Sequence, residues 1–272
     1  MKNLSGLNII IRGAGDLATG VALRLYRSGF RRLLLLETAH PLAVRRLASF
    51  SEAVYLKTVM VEGIRARLID DAAQAEECWK KDEIAVVIDP GAQCVPVSGP
   101  EVVIDAIIAK KNTGTEMEDA PLVIGIGPGF TAGVDVHCVI ETMRGHNLGR
   151  VIYRGTAQPD TGIPGSIGGY SKERLLRAPA DGTFITTCDI GDRVKGGDRV
   201  ATVGGVPVTA AISGVLRGLL RSETPVTTGT KLGDIDPRGK TDFCATASDK
   251  ALAIGGGVLE AILHYSIGSK ET

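Results

Sequence analysis

The sequence predicts an α/β fold, a mostly parallel, doubly wound sheet followed by a small β module, and three observations carry that prediction. Short apolar runs alternate with helical stretches up to about residue 175. Glycine-rich turns sit where those runs end and helices begin. Beyond Ala178, helical periodicity gives way to short apolar segments broken by glycine and charge, with an internal repeat.

Asn8–Ile11 reads as the first buried strand, followed by Arg12-Gly13-Ala14-Gly15-Asp16-Leu17-Ala18 and a helix to about Arg27. Leu33–Leu36 is the next strand, with Glu37 at its end. A strand, a G-x-G-x-x-A turn, a helix, a strand and an acid approach the dinucleotide fingerprint of a Rossmann-like unit. Gly13 and Gly15 are thus candidates to approach a phosphate, and Glu37 to bind a ribose hydroxyl. Asp16 complicates this, because a carboxylate at a helix start satisfies the dipole and repels phosphate. It fits either a helix cap or a metal-bridged phosphate.

Arg45 and Arg46 follow on a short helix, and Arg45 is a candidate anion ligand. Ile64–Ile69 reads as a strand and Asp71–Lys81 as a polar helix carrying Trp79. Ile84–Ile88 reads as a buried strand that places Asp89 at its C-terminal end, where open α/β sheets bind ligands. A helix is predicted from Pro100 to Lys111, with proline in its first turn.

Leu122-Val123-Ile124 opens the stretch densest in chemistry. Gly125, Gly127, Gly129 and Gly133 surround Thr131, and a helix is predicted from about Val134 to Arg144. On that helix Asp135 and Cys138 share one stripe, and His137 and Glu141 the next. The loop (Gly127, Gly129, Thr131) suits a phosphate, and Cys138, His137, Asp135 and Glu141 form a candidate reactive end. Taken singly, each also fits a capped surface helix. Arg150–Tyr153 reads as a further strand.

In the tail, Gly182, Val194, Gly197, Val200 and Val203 match Gly214, Val226, Gly229, Leu232 and Ile235 at an offset of 32. The pattern resembles a lipoyl/biotinyl-like β barrel-sandwich module. The joining segment Gly204–Thr209 carries no lysine, so covalent biotin or lipoate is not expected. The expected domains are 1–175 (Rossmann-like), 176–240 (the β module) and 241–272, a C-terminal helix packing back on the first. Ile254–Glu260 is read as a third glycine-rich helix entry.

Composition narrows the function. With 31 basic and 31 acidic residues the chain has no net charge, which argues against general nucleic-acid or anionic-membrane binding. Aromatics at 4% argue against base stacking. Five cysteines without C-x-x-C spacing suggest reduced thiols, and no apolar run reads as a leader or a span, so a cytoplasmic protein is expected.

The stretches 11–19, 41–55, 123–141, 150–165 and 253–260 together resemble the YqeB-type accessory proteins of selenium-dependent molybdenum hydroxylase systems. The first loop is also similar to that of xanthine dehydrogenase accessory proteins. The resemblance implies a maturation factor that binds or modifies a molybdopterin-type cofactor, or a nucleotide, before its insertion into a molybdenum hydroxylase client. An NAD(P)-dependent oxidoreductase and a non-enzymatic docking scaffold are the alternatives.

Overall fold

The structure is a computed structural model that describes residues 4–268. The chain divides into two compact units. Unit 1 comprises Met1–Pro41, Ser49–Asp160 and Ala247–Thr272; unit 2 comprises Leu42–Ala48 and Thr161–Thr246.

Unit 1 is built on strands β1 (Ile9–Arg12), β2 (Leu33–Glu37), β3 (Thr58–Val61), β4 (Ile64–Ile69), β5 (Ile84–Ile88), β6 (Val102–Asp105) and β7 (Leu122–Ile126). Strands β8 (Thr131–Ala132), β9 (Cys138–Ile140), β10 (Val151–Ile152) and β11 (Gly155–Thr156) complete it. The helices are α1 (Asp16–Arg27), α2 (Ala53–Leu56), α3 (Ala75–Trp79), α4 (Val95–Ser98) and α5 (Asp249–Gly268). Nine strands form one mixed sheet in the order β10-β9-β7-β6-β1-β2-β5-β4-β3. Its interior pairs are parallel, while β3–β4 and β9–β10 are antiparallel. The central strands bury both faces, as their unbroken apolar runs require.

One face packs Ile9, Ile11, Leu33, Leu35, Ile104 and Ile124 against α1 and α5. These two helices touch through small residues: a Cβ on Gly20 would lie 2.5 Å from Ala251 Cβ, and one on Gly255 would lie 2.8 Å from Gly20 O. The glycines of 255–257 therefore lie inside α5 rather than at a helix entry. The opposite face packs Ile10, Leu34, Val87, Val103 and Val123 under short helices and loop residues such as Phe130 and Val136.

Two predicted helices are strands. Val102–Asp105 lies in the centre of the sheet instead of within a helix 100–111. Its run Val102-Val103-Ile104 is β-branched and fits between β1 and β7. The helix expected over 134–144 is replaced by a turn and β9, which covers the otherwise free edge of β7.

Unit 2 contains β12 (Leu175–Arg177), β13 (Gly182–Thr186), β14 (Arg193–Val194), β15 (Arg199–Val203), β16 (Val206–Thr209), β17 (Gly214–Leu219), β18 (Thr224–Val226) and β19 (Lys231–Asp236). They form two four-stranded antiparallel sheets, ordered β12-β19-β17-β14 and β16-β15-β13-β18. The offset of 32 relates β13, β14 and β15 to β17, β18 and β19, and each copy places its middle strand in the other's sheet.

The expected Rossmann-like domain with a lipoyl/biotinyl-like β barrel-sandwich module is corrected on both parts. The main sheet is mixed, with an antiparallel ribbon at each edge, and only α1 and α5 exceed five residues among the described helices. The tail forms two open sheets, extended by β12 and β16, strands outside the repeat. The joining segment forms β16, which pairs with β15.

Candidate functional site

The first glycine loop is held by its own chain. Gly13 has φ +100°, its N–H donates to Leu36 O at 2.7 Å, and a Cβ there would meet Ala106 O at 3.1 Å. Glu37 accepts from Ala14 N (3.0 Å) and Thr38 N (2.8 Å), so the acid expected to bind a ribose clasps the backbone instead. Gly15 caps α1 with no side chain near it, and the half-buried Asp16 opens the helix.

Beside this loop, buried Arg12 pairs with Asp105 at 3.5 Å and donates to Thr115 Oγ1. Thr115 in turn donates to Asp105 at 2.6 Å. The network pins the segment after β6 onto β1, where the strand order changes direction and such sheets open a ligand crevice. A Cβ on Gly129 would lie 2.6 Å from Lys111 N, so the second glycine loop packs against the same segment. Gly127 (φ +84°) lies so close to Thr142 that a Cβ would sit 2.9 Å from its hydroxyl. These glycines permit close backbone approach within unit 1.

The four residues predicted to form a reactive end each have a local duty. Asp135 accepts from Thr131 N at 2.7 Å, closing the turn before β9. His137 Nδ1 accepts from Val123 N at 3.0 Å, while the His137 backbone N–H donates to Val123 O at 2.9 Å. Burial holds its pKa below the ordinary histidine value, with Glu118 pulling the other way. Cys138 points into the helix-covered core, where burial pushes its thiol up to about 12. Glu141, 2% exposed, accepts from Met143 N (2.6 Å) and Gln158 N (2.8 Å) and ties two loops together.

Asp89 accepts from Cys94 N (2.8 Å) and Gln93 N (3.0 Å). Burial would raise its pKa, but these N–H groups hold it below the usual range. Burial, then Asp89, push Cys94 up to about 12. Burial also raises Cys78, Cys188 and Cys244, so no thiol is activated. Among the described residues, no three His, Cys, Asp or Glu side chains gather as a metal site. In unit 2, Arg45 is buried and donates to Phe243 O (2.8 Å) and Thr246 O (2.6 Å).

The sequence reading missed Lys250. Helices α1 and α5 run parallel, since Gly20 meets Ala251 and Gly255 meets Arg24. Their N-termini therefore point the same way, and Lys250 stands half-buried in the first turn of α5. Burial and then Arg144 hold its pKa below the ordinary lysine value, while Asp16, Asp160 and Glu141 oppose the shift. Arg144 grips Asp249 at 2.7 and 2.9 Å, and Lys110 pairs with Asp160 at 2.6 Å. A depressed lysine beside two aligned helix N-termini can receive an anion. Only the packing of α5 on α1 brings Lys250 to the first loop, so nothing local in the sequence marked it.

No family model matches the chain. Over 255 residues it is 48% identical to a protein of Escherichia coli (strain K12) described as uncharacterized protein YqeB. The match covers 94% of this chain and 47% of that protein, so the chain spans about half the length of this relative. Over that stretch the chain belongs to the YqeB-type family. Among solved structures it is similar to the product-bound ectoine utilization protein EutE (DoeB) from Ruegeria pomeroyi, at 12% identity, 79% and 61% coverage of the two chains and a TM-score of 0.24. It is also similar to an aspartoacylase family protein from Mesorhizobium loti, at 13% identity, 85% coverage of each chain and a TM-score of 0.27. A likeness this shallow lends the chain neither their fold nor their activity.

Proposed function

We propose that this YqeB-type chain is a cytoplasmic accessory factor for a selenium-dependent molybdenum hydroxylase, and that it holds a molybdopterin-type cofactor by its anionic end before insertion. One observation carries the reading: half-buried Lys250, with Arg144 beside it, stands at the aligned N-termini of α1 and α5. An ammonium and helix N–H groups suit a phosphate, and a bound anion would restore the charge that burial disfavours in Lys250. Asp249 and Asp160 are already matched by Arg144 and Lys110, and Glu141 by two backbone N–H groups. The role is one of holding rather than of thiol-driven insertion, because all five thiols are pushed up.

The test is native mass spectrometry with elemental analysis, on protein purified anaerobically from a strain that makes molybdopterin. A bound phosphorylated pterin is expected, lost from Lys250→Ala and retained by Cys138→Ala, with both variants folded by circular dichroism. A clean apo mass for the parent protein, or full retention by Lys250→Ala, overturns the reading.

A further inference from the structure

On the thinly covered face of the main sheet, α3 and α4 leave between them a cleft of about 610 Å³. We propose that this cleft is a second binding site, independent of the one above, and that it takes a small aromatic cation. The volume lies in the range of small-molecule sites. Its floor is apolar, formed by Ile10, Leu34 and Val87.

One wall is Trp79, whose indole N–H is committed to Leu33 O at 2.9 Å, so the ring contributes surface and π density rather than a donor. That ring already attracts a cation, since the Arg32 guanidinium lies 4.4 Å from its centroid. Arg32 is in turn neutralised by Glu76 at 2.8 Å.

The charge of the lining selects the ligand. Asp70, Asp71, Glu76 and Asp89 face a single cation, Arg32. Asp89 is kept ionised by the N–H groups of Cys94 and Gln93. At the mouth, Val97 is 90% exposed and Ile88 44% exposed, apolar surface that a flat ring would cover. An anion of the same shape would meet a net negative rim.

Trp79 is the only tryptophan in the chain, so its emission reports on the cleft directly. The full chain is titrated with benzyltrimethylammonium and, separately, with benzenesulfonate, exciting at a wavelength that only tryptophan absorbs. A saturable change is expected for the cation, with a Kd of about 1 mM or tighter, and none for the sulfonate. Asp70→Asn, at the exposed rim, is expected to weaken the cation by about threefold, and Val97→Lys, at the mouth, by about fivefold, both effects shrinking in high salt. The proposal falls if the cation gives no saturable change, if the sulfonate binds as well, or if both variants bind like the parent while folded by circular dichroism.

Discussion

The two faces of the nine-stranded sheet are closed by different means. The face under α1 and α5 is sealed by van der Waals contact, with the two helices drawn together at Gly20 and Gly255 and α5 drawn onto Gly149 at Gly257. The opposite face has only short helices and loops, held by side chains that bond backbone: Asp135 to Thr131, His137 to Val123, Glu141 to Met143 and Gln158. Close packing tolerates no added atom, whereas bonded loops tolerate shape change but not the loss of an acceptor. The loop-covered face also holds the cleft of about 610 Å³.

The largest effect is expected for Gly257→Ala, whose Cβ would collide with Gly149 O. We expect a loss of about 2–3 kcal/mol in urea unfolding despite alanine's better helix propensity. A neutral result would mean that the sealed face can shift. On the other face, Glu141→Gln replaces one acceptor oxygen by a donor opposite a backbone N–H, and should cost about 1–3 kcal/mol.

His137 gives that face a pH dependence. Its Nδ1 must be unprotonated to accept from Val123, and its folded pKa lies below the ordinary 6.5. Between those two values the unfolded chain binds the proton and the folded chain does not. The contribution is therefore complete above about pH 6.5 and is lost as pH falls through the folded value. Stability measured from pH 8 to 5 should decline below about 6.5, and His137→Gln should flatten that decline. An unchanged profile would remove His137 from the account. The smallest effect has the opposite sign: a Cβ on Gly256 meets nothing within 4 Å. Gly256→Ala should therefore raise stability by about 0.5–1 kcal/mol, and a loss instead would show that contact does not decide the fate of these glycines.

Several elements were legible in the sequence because each rests on local signals. Strand β1, helix α1 and strand β2 follow from an apolar run, a glycine turn and a second apolar run. Strand β5 ends where Asp89 and Pro90 predict it, and the offset of 32 marks equivalent strands in unit 2. At the candidate site, Gly13 and Gly127 both have positive φ, and their lack of a side chain serves close packing within the chain. The stripes drawn through Asp135, His137, Cys138 and Glu141 needed a helix that does not form.

Where apolar runs begin and end is a local property of the chain, because turns and caps act over a few residues. Whether Val102–Asp105 and Cys138–Ile140 become helix or strand, and where Lys250 lies, depends on long-range packing. Short β-branched runs satisfy either period, and a neighbouring strand edge with unpaired N–H and C=O groups settles the choice. Lys250 acquires its charged neighbours from segments 90 or more residues away. That proximity exists only once the two helices pack closely together at Gly20 and Ala251.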